Sequence, residues 1–579
     1  MDIVYKNKAT ERILVAINAT VTAIVVIVAL AQLGFYQPII SSQLLLVTLA
    51  CAACVFIIEK VVRFFNARSK KDFFTLRWFE LIFIVIFLIL LYYATPIIAL
   101  SVYLLSQIIT KLCRSMVNLA ASGRNPGRAI IGSFLILIIC GTVLLMLPRC
   151  WTVESMSFVD ALFTATSASC VTGLVVKDTG SDFTMAGQTV ILVLIQLGGL
   201  GIVIFGAVFA LLLGQALNVR QSVAMQDLLN AQTVGKIANV IAFIFISTIL
   251  IEAIGAVAML DMFRNESAGH SHLTDQWFYA IFHSVSAFCN AGFSLFSNSF
   301  VGFTHRTVIY SVICPLIIIG GLGFGVLYNL LKVFTSRAKR AFRKIYNPHQ
   351  LFFAAPTVPI KLQTKIVLMA SAILIVVGMV LMMILQRHIG SESLSVADAF
   401  FQSVTARTAG FNTIDINSLS PPVRTVLMAL MFIGGSPGST AGGIKTVTLV
   451  IVIMAVYATI RKRREVEIFK RSVPLVTVGK ALTVVLLFVC VLFISAFALT
   501  ITERHSGFDS ADIMFEASSA LGTVGLSCGI TSELSTAGKI IIIITMLIGR
   551  LGPLTVLAML TFNIKPAKFD YPTESVVVG

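Results

Sequence analysis

Four short segments of the chain have the residue types and the spacing that suit the coordination of a cation. Each contains a phenylalanine ten residues before a glycine, and a bulky apolar residue follows each glycine. The glycines are Gly173, Gly292, Gly410 and Gly525, which lie 119, 118 and 115 residues apart. Glycine permits backbone angles that are costly for residues with a Cβ atom, so a strand that contains it can aim successive carbonyl oxygens in one direction. Such oxygens replace the hydration shell of an ion.

The candidate filter consists of the four residues that end at each glycine. A single motif of this kind is more often a helix-packing site made of small residues. Four copies at a nearly fixed period instead indicate an internal repeat with one shared site. The sixteen residues are Cys170, Val171, Thr172 and Gly173; Cys289, Asn290, Ala291 and Gly292; Arg407, Thr408, Ala409 and Gly410; and Gly522, Thr523, Val524 and Gly525.

The composition is that of an integral membrane protein. Hydrophobic residues make up 58% of the chain, charged residues make up 12%, and the mean hydropathy is +0.96, whereas soluble proteins have about 25% charged residues. Continuous apolar runs of about 20 residues predict membrane-spanning helices rather than a barrel. The net charge of +17 is concentrated in particular loops, which favours the positive-inside rule over a nucleic-acid partner. Most of the ten cysteines lie in apolar runs and are predicted to pack rather than to form disulfides.

Each predicted repeat consists of a span, a short segment that ends at the glycine, and a second span. The short segment has about 13 residues, too few to cross a membrane, and is predicted to be a re-entrant half-helix followed by a filter strand. The predicted first spans are 129–147, 237–260, 365–385 and 478–501, and the second spans are 188–213, 307–334, 423–459 and 539–560. The predicted fold is therefore all-α, membrane-embedded and pseudo-fourfold, with eight spans in the repeats. The predicted domains are 1–128, 129–220, 221–345, 346–472 and 473–579.

Residues 1–128 lie outside the repeat. They contain three long apolar runs, at 13–33, 44–58 and 79–110. The first run is too long for a cleavable signal peptide and is predicted to span the membrane. The run at 79–110 is long enough for two short spans. Basic clusters flank the three runs, so the positive-inside rule predicts four extra spans with a cytoplasmic N-terminus. Their role stays open between an assembly accessory and a voltage-sensor-like bundle with Lys111 and Arg114 as its cations.

Charge also predicts the orientation of the repeats. The connections at 337–344 and 461–471 are rich in lysine and arginine and are predicted to be cytoplasmic loops. The loops beside the re-entrant segments are acidic and are predicted to face outside. Their carboxylates either raise the local cation concentration or form a solvated surface, and both interpretations stay open. These residues are Glu154, Asp160, Asp261, Glu266, Asp275, Glu392, Asp398, Glu503 and Asp512.

The second span of the third repeat is interrupted where a helix cannot continue, because the interruption holds five glycines and a proline. About 11 helical residues precede it, roughly 17 Å, which places it near the middle of a membrane. It is a candidate gate across the permeation path, and a simple helix kink is the alternative. The candidate gating segment 434–445 comprises Gly434, Gly435, Ser436, Pro437, Gly438, Ser439, Thr440, Ala441, Gly442 and Gly443, with Lys445 beyond the interruption.

Arg550 is the second gating candidate. It lies 25 residues after Gly525, just as Gly435 lies 25 residues after Gly410, so the two positions are predicted at a similar depth. An arginine inside the membrane is costly and faces the protein interior or a watery cavity. It is predicted to oppose a cation below the filter, and an ion pair with Glu252 is the alternative. Three further residues near the filter are predicted to be structural: His283, Arg407 and Glu516.

The four filter segments and the interrupted span resemble those of the Trk/Ktr/HKT superfamily of potassium transporters, the Ktr-type membrane subunit above all. The resemblance covers about residues 129–579. In that superfamily a serine in place of the first filter glycine accompanies sodium conduction, so Gly173 implies selectivity for K⁺. The resemblance also implies an intramembrane gating loop and a pore-facing arginine at the positions given above. K⁺ is the implied transported ion, Na⁺ coupling or activation stays open, and no organic cofactor is implied.

The resemblance further implies partners and a location. Residues 576–579 match the part of Ktr-type subunits that takes part in a homodimer contact. A cytosolic ring of nucleotide-binding regulators of the RCK class would face the basic loops. That ring would be a separate chain, because no glycine-rich dinucleotide fingerprint follows a strand here. The implied location is the bacterial plasma (inner) membrane, crossed several times, with both termini cytoplasmic and lipid as the surrounding partner.

Two other functions compete with a gated K⁺ pathway. An alternating-access K⁺/Na⁺ or K⁺/H⁺ symporter would show broken helices in two inverted halves, whereas four parallel repeats are predicted here. A membrane-embedded enzyme would need a nucleophile, a metal cluster or paired acids at one depth, and no such motif is present in the sequence. The sequence predicts a potassium-uptake, ion-conducting subunit and not an enzyme. A gated channel and a coupled carrier both remain open.

Overall fold

The computed structural model is predominantly α-helical. It describes residues 6–37, 39–70, 99–107, 126–152, 156–201, 237–263, 273–304, 306–346, 358–390 and 393–560, with scattered residues from 85 to 97. The described strands form one antiparallel hairpin of β1 (Val466–Ile468) and β2 (Arg471–Val473). Five described helices are long and apolar enough to cross a membrane, or six if one bent pair counts as a single span. The prediction of a helical, multi-pass membrane protein is therefore confirmed.

The described helices form an N-terminal pair and four groups. The pair is α1 (Lys8–Leu33) and α2 (Ser42–Asn66). The first group is α3 (Pro126–Leu145), α4 (Phe158–Cys170) and α5 (Met185–Leu200); the second is α6 (Ile237–Phe263), α7 (Leu273–Cys289), α8 (Cys314–Leu322) and α9 (Phe324–Tyr346). The third is α10 (Leu362–Ile389), α11 (Val396–Thr405), α12 (Pro421–Phe432) and α13 (Thr446–Ile460); the fourth is α14 (Leu475–Thr502), α15 (Ser510–Gly522), α16 (Thr536–Leu551) and α17 (Pro553–Leu560). A π-helical turn, Ile309–Ile313, leads into α8, and single 3₁₀ turns lie at Pro148–Cys150, Val301–Phe303, Ile416–Ser418 and Ile530–Glu533.

A short buried helix lies between the two longer parts of each group, where a re-entrant half-helix is predicted. The short helices α4, α7, α11 and α15 have 13, 17, 10 and 13 residues, fewer than a membrane crossing requires. Nine consecutive or nearly consecutive residues at the C-terminal end of α4 are buried, and the same is true of α15. A helix that is buried on all sides lies in the interior of the protein rather than against lipid. The four short helices therefore form the centre of the molecule.

Polar bonds join the start of a short helix to the second span of the preceding group. Asp160 in the first turn of α4 lies 2.8 Å from the Lys539 ammonium of α16, and Asp512 in α15 lies 3.0 Å from the Arg424 guanidinium of α12. A third contact joins the second group to the third: the hydroxyl of Tyr310, in the turn before α8, donates to Asp398 of α11 at 2.7 Å. A carboxylate in the first turn of a helix is also stabilised by the helix dipole. The fourth group is thereby connected back to the first, which closes the arrangement.

Replacing Lys539 with alanine is expected to destabilise the protein by about 1–2 kcal/mol, because it leaves a largely buried Asp160 carboxylate without its cation. The two side chains are only 16% and 13% exposed. A lower midpoint of thermal unfolding in detergent would show the effect. The matched control is Arg463→Ala, since the pair of Arg463 with Glu467 is 51% and 52% exposed. That control should change stability by less than about 0.5 kcal/mol, and equal effects of the two substitutions would contradict the assignment.

The second spans predicted at 188–213, 307–334 and 539–560 each contain a glycine at which a helix ends. The helix α5 ends at Leu200, and residues 202–213 of the predicted span lie outside the described ranges. The helices α8 and α9 are bent by 100° at Gly323, and Gly552 separates α16 from α17. The φ angles of Gly201, Gly323 and Gly552 are +82°, +88° and +83°. A glycine in this left-handed region ends a helix without the steric cost that a Cβ atom would bring.

The basic segment 337–344 was predicted to be a loop and is instead part of helix α9. Exposed apolar residues of α9, Leu331, Phe334 and Phe342, recur at helical spacing, and no glycine or proline interrupts the helix after Gly325. The second basic segment, 461–471, contains the turn and hairpin of β1 and β2. The cytoplasmic side of both segments stays a prediction.

The N-terminal helices α1 and α2 are joined to each other at one end, and α1 is joined to the turn after α3 at the other. Asn7 and Asn66 exchange two hydrogen bonds, of 2.9 and 3.0 Å, and Arg63 bridges Glu11 and Glu59 at 2.9 and 2.8 Å. At the other end, the Gly34 carbonyl accepts a hydrogen bond of 3.0 Å from the backbone N–H of Arg149. The pair is thereby attached to the end of α3. Most of the predicted third and fourth extra spans, with Lys111 and Arg114, lies outside the described residues.

The nine cysteines in the described ranges are all free thiols. Five of them are buried, in agreement with a packing role. The packing prediction is wrong for the others, because they are exposed on the outer surfaces of their apolar helices. These four are Cys51, Cys54, Cys140 and Cys490.

Candidate ion-conduction site

A strand with alternating left-handed residues follows each short helix. The second residue before each filter glycine and the glycine itself both have positive φ angles, so every other residue is left-handed. The angles are +57° and +90° at Val171 and Gly173, +58° and +70° at Asn290 and Gly292, +84° and +80° at Thr408 and Gly410, and +50° and +94° at Thr523 and Gly525. Alternation of this kind turns consecutive peptide planes so that their carbonyl oxygens face the same side. Left-handed Val and Thr are strained, and such strain persists mainly at functional sites.

The four strands meet around one point in the order of the chain. A Cβ atom placed on Gly173 would lie 3.0 Å from the Cα atom of Gly292, and one placed on Gly292 would lie 3.1 Å from the Cα atom of Gly410. The series continues from Gly410 to Gly525 at 3.1 Å and from Gly525 back to Gly173 at 3.0 Å. In each case the carbonyl oxygen of the residue before the next glycine is also close. The strands therefore form a closed ring of backbone, and no side chain fits at these positions.

The ring has the chemistry of a cation site. The short helices end at the strands, and the negative ends of their dipoles favour a cation there. Three filter side chains, Thr172, Thr408 and Thr523, are fully buried, and their hydroxyl groups have no hydrogen-bond partner in the described part of the chain. Hydroxyl and carbonyl oxygens are the kinds of group that replace water around a bound cation. An ion coordinated by hydroxyl and carbonyl oxygens would satisfy them.

The residues after the glycines fasten the strands to the surrounding wall. Each is buried and packs in an apolar cluster: Leu174, Phe293, Phe411 and Leu526. The Phe411 ring, for example, lies 5.1 Å from the ring of Phe300 in the preceding group. These contacts anchor the strands in the apolar wall around the ring.

Two of the predicted filter side chains point away from the ring. The buried Arg407 guanidinium donates to the carbonyl and hydroxyl oxygens of Ser371 on α10, at 3.3 and 3.2 Å. The Cys289 thiol lies 3.7 Å from Gln196 and 3.9 Å from Glu252. The structural role predicted for Arg407 agrees with these contacts.

The interruption between α12 and α13 is a closed loop. Its ends are joined by hydrogen bonds from Ile444 to the carbonyl of Phe432 at 3.3 Å and from Thr446 to the carbonyl of Gly435 at 3.0 Å. Lys445 caps the loop from within, donating to the carbonyl oxygen of Ala441 at 2.7 Å. The predicted break in this span is present, and it is a hydrogen-bonded loop rather than a simple helix kink.

The loop is bound to the second group of helices. Backbone N–H groups of Ser436 and Thr440 donate to the carbonyls of Gly321 and Gly320, at 3.0 and 3.4 Å, and the Gly438 carbonyl accepts from Phe324 at 3.0 Å. The Thr440 hydroxyl also donates to the Phe288 carbonyl at 3.3 Å, one residue before the second filter strand. The loop thus crosses from the third group to the second.

The loop also lies against the fourth strand. A Cβ atom placed on Gly442 would lie 3.0 Å from the Cβ atom of Thr523, inside that strand. The loop is therefore next to the ring itself, on the side where the short helices end.

Arg550 connects the loop to the first group. Its guanidinium donates to the Thr440 carbonyl of the loop, and also to the carbonyls of Gly198 and Gly199 at the end of α5, at 2.5 and 3.2 Å. Every described hydrogen bond of Arg550 goes to a carbonyl oxygen. The alternative of an ion pair with Glu252 is wrong, since that carboxylate lies 3.2 Å from the amide of Gln196 instead. Arg550 therefore joins the loop of the third group to the first group, on the opposite side of the ring.

Sequence reasoning missed three parts of this site. It assigned the unusual backbone to the glycines alone and overlooked the left-handed residues two positions earlier, where Val, Asn and Thr show no common signal. It also overlooked the docking of the loop on Gly320 and Gly321, although these belong to a Gly-Gly-Leu-Gly run that occurs in the first two repeats. Finally, it did not pair Asp160 with Lys539, which lie 379 residues apart.

This fold and site define the class: the chain belongs to the TrkH family of cation transport proteins, whose sequence profile matches residues 124–569. Among individual relatives, the chain is 38% identical to Ktr system potassium uptake protein B of Vibrio alginolyticus over 79% of this chain and 96% of that protein. It is 37% identical to the protein of the same name from Bacillus subtilis, over 79% of this chain and 97% of that protein. The resemblance to the Trk and Ktr proteins is confirmed.

One further relative and one solved structure are also similar to the chain. The chain is 35% identical to potassium/sodium uptake protein NtpJ of Enterococcus hirae, over 79% of this chain and 97% of that protein. The crystal structure of the potassium transporter TrkH from Vibrio parahaemolyticus matches with a TM-score of 0.56 at 19% identity, covering 84% of this chain and 96% of that structure. This likeness shows the membrane-transporter fold. Residues 1–123 lie outside the family match.

Proposed function

We propose that the chain is the ion-conducting subunit of a potassium-uptake system, and that the sixteen filter residues form a K⁺-selective site on a pseudo-fourfold axis. The observation that carries this proposal is the closed ring of Gly173, Gly292, Gly410 and Gly525, in which each strand alternates left-handed residues. Four strands that follow one another in chain order fit four parallel repeats. Two inverted halves, as in an alternating-access symporter, would not close in this order.

The loop 434–445 is the gate in this proposal. It spans from α12 to the second group and is held to the first by Arg550, so it lies across the path that an ion leaving the ring would take. Opening requires the Arg550 hydrogen bonds to break and the loop to move aside. The positive charge of the Arg550 guanidinium also repels K⁺ below the filter while the loop is in place.

The names of the relatives support K⁺ as the transported ion, and one of them names sodium as well. Na⁺ acts in this proposal as an activator or a coupled ion. The chain functions as a homodimer in the bacterial plasma membrane, with an RCK-type nucleotide-binding ring on its cytoplasmic side. The repeats have the boundaries predicted above, and the N-terminal helices serve as an assembly accessory attached to the first repeat.

The proposal is tested by growth of a bacterium that lacks its own potassium-uptake systems. Expression of the chain, with a cognate regulatory subunit where one is needed, is expected to restore growth at low external K⁺ and to drive uptake of Rb⁺ as a tracer. Gly410→Asp serves as the negative control, since a charged side chain cannot fit within the ring. Restored growth by both chains, or by neither, would count against a K⁺ filter at this position.

A further inference from the structure

We propose that His283 and Glu516 are positioning residues that brace two opposite filter strands from behind, and that these braces set the ion preference of the outer end of the filter. The inference rests on the proposed K⁺ function. Both residues stand nine positions before a filter glycine, and both are fully buried, with 0% of their surface exposed. Each faces the serine two positions after that glycine, Ser294 or Ser527.

The histidine brace is held in one tautomer. The Nδ1 atom of His283 lies 2.8 Å from the carbonyl oxygen of Tyr279, which only accepts hydrogen bonds, so Nδ1 carries the hydrogen. The Nε2 atom is then an acceptor. It receives the backbone N–H of Leu295 at 3.3 Å and the hydroxyl of Ser294 at 3.3 Å. The ring of Phe296 stacks against the imidazole with a centroid distance of 5.2 Å, so the side chain is fixed in this position.

The glutamate brace uses different atoms for the same task. Glu516 accepts a hydrogen bond from the Ser527 hydroxyl at 2.9 Å with one carboxylate oxygen, and a hydrogen bond from the Thr531 hydroxyl with the other. Hydrogen bonds to a carboxylate are stronger than those between neutral groups. The segment after the fourth filter strand is thereby held to the short helix α15.

The two serines have one further feature in common. Each serine oxygen accepts the backbone N–H of the residue two positions later, Phe296 at 3.0 Å and Gly529 at 2.9 Å. Each serine therefore joins a buried side chain of the short helix to the backbone beyond the filter glycine. Two different side chains, histidine and glutamate, produce the same connection, which indicates that the connection itself matters.

The other two repeats lack this brace. At the equivalent positions of their short helices stand Thr164, whose hydroxyl donates to the Asp160 carbonyl within α4 at 2.9 Å, and the apolar Phe401. Val175 and Asn412 occupy the places of the serines. Because the ring follows chain order, the second and fourth strands are opposite each other. The third strand is instead tied to its short helix by a different contact, from the Thr413 hydroxyl to the Asp398 carboxylate at 2.9 Å. The serine-mediated brace is therefore confined to one opposite pair of strands.

A braced strand cannot move inward to bring its carbonyl oxygens into contact with an ion smaller than K⁺. The preference for K⁺ over Na⁺ depends on the number and the positions of these carbonyl oxygens. The two opposite strands that carry the serine-mediated brace define the width of the ring at its outer end. Loss of a brace is thus expected to change ion preference rather than the gate, which lies at the other end of the strands.

The test compares serine variants that leave His283 and Glu516 in place. Ser294→Ala and Ser527→Ala are each expected to lower the K⁺/Na⁺ permeability ratio about fivefold, the factor that one typical hydrogen bond is worth. Ser527→Thr retains a hydroxyl and is expected to restore the wild-type ratio. Thr164→Val is the matched control in an unbraced repeat and should leave the ratio unchanged. Reversal potentials of the purified chain in bilayers provide the measurement, on variants that elute as the folded protein.

The outcomes separate the brace from the proposed function. If the wild-type chain conducts without preferring K⁺, the proposed function fails. If the wild-type chain prefers K⁺ and both alanine variants keep its ratio within about twofold, the filter stands and the brace is overturned. A lower ratio in Thr164→Val that matches the serine variants would also overturn it, since the effect would then not be specific to braced strands.

Discussion

Serine in place of Gly173 is expected to lower the K⁺/Na⁺ permeability ratio at least about tenfold, which corresponds to about 1.4 kcal/mol between the two ions. Gly173 has a φ angle of +90°, which is costly for a residue with a Cβ atom. The added Cβ would also lie 2.5 Å from the Ala291 carbonyl oxygen and 3.0 Å from the Cα atom of Gly292. The neighbouring strand must therefore shift, and its carbonyl oxygens leave the positions that suit K⁺.

The matched control for this substitution is Gly507→Ser. Gly507 also has a left-handed φ angle, of +72°, but a Cβ atom there would meet no other atom within 4 Å. This variant carries the conformational cost without the collision in the ring, so its permeability ratio should equal that of the wild type. A Gly173→Ser chain that is folded and keeps the wild-type ratio would contradict the filter assignment.

Replacement of Arg550 with alanine is expected to raise K⁺ flux at least about tenfold at the same gradient. The substitution removes the hydrogen bonds to Thr440, Gly198 and Gly199 that hold the loop across the path. Hydrogen bonds from a charged donor are each worth about 1.5–3 kcal/mol, so the loss of even one accounts for a tenfold change in the open population. It also removes a positive charge from the path of the ion.

Two further variants separate these causes. Arg550→Lys retains the charge, but an ammonium group lacks the planar set of donors that reaches both the loop and the end of α5. Its flux should therefore lie between that of the wild type and that of the alanine variant. Arg424→Ala removes an arginine that pairs with Asp512 at the other end of the third repeat's second span, and it should leave flux near the wild-type level. Flux in Arg550→Ala at or below the wild-type level would mean that the loop is not the barrier.

Much of the site was predictable from the sequence because its determinants are local. The spacing of phenylalanine and glycine located all four strands, since each strand must start where its short helix ends. The five glycines and one proline of 434–443 located the loop, because a helix cannot pass through them. Arg550 was located by its distance from Gly525, which equals the distance of Gly435 from Gly410.

Other features depend on tertiary contacts and had no such signal. The left-handed angle of Val171 costs energy that only the surrounding ring can offset, so propensity would place this residue in another conformation. The partners of Arg550 are backbone carbonyls, which every residue has, so the sequence could name only a carboxylate, Glu252, as an alternative to the predicted pore-facing role. The bend at Gly323 had a signal in the Gly-Gly-Leu-Gly run, but one glycine alone does not distinguish a bend from close packing.

Ion flux through the purified chain tests the central claim most directly. The chain is placed in proteoliposomes, in its wild-type and Arg550→Ala forms, and K⁺ and Na⁺ gradients are varied independently. A K⁺-selective filter under a movable loop is expected to give K⁺ flux that follows the K⁺ gradient at any fixed Na⁺ concentration, larger in the Arg550→Ala form. Equal flux of Na⁺ and K⁺ through both forms, or no K⁺ flux even when residues 434–443 are deleted from a folded chain, would contradict the account.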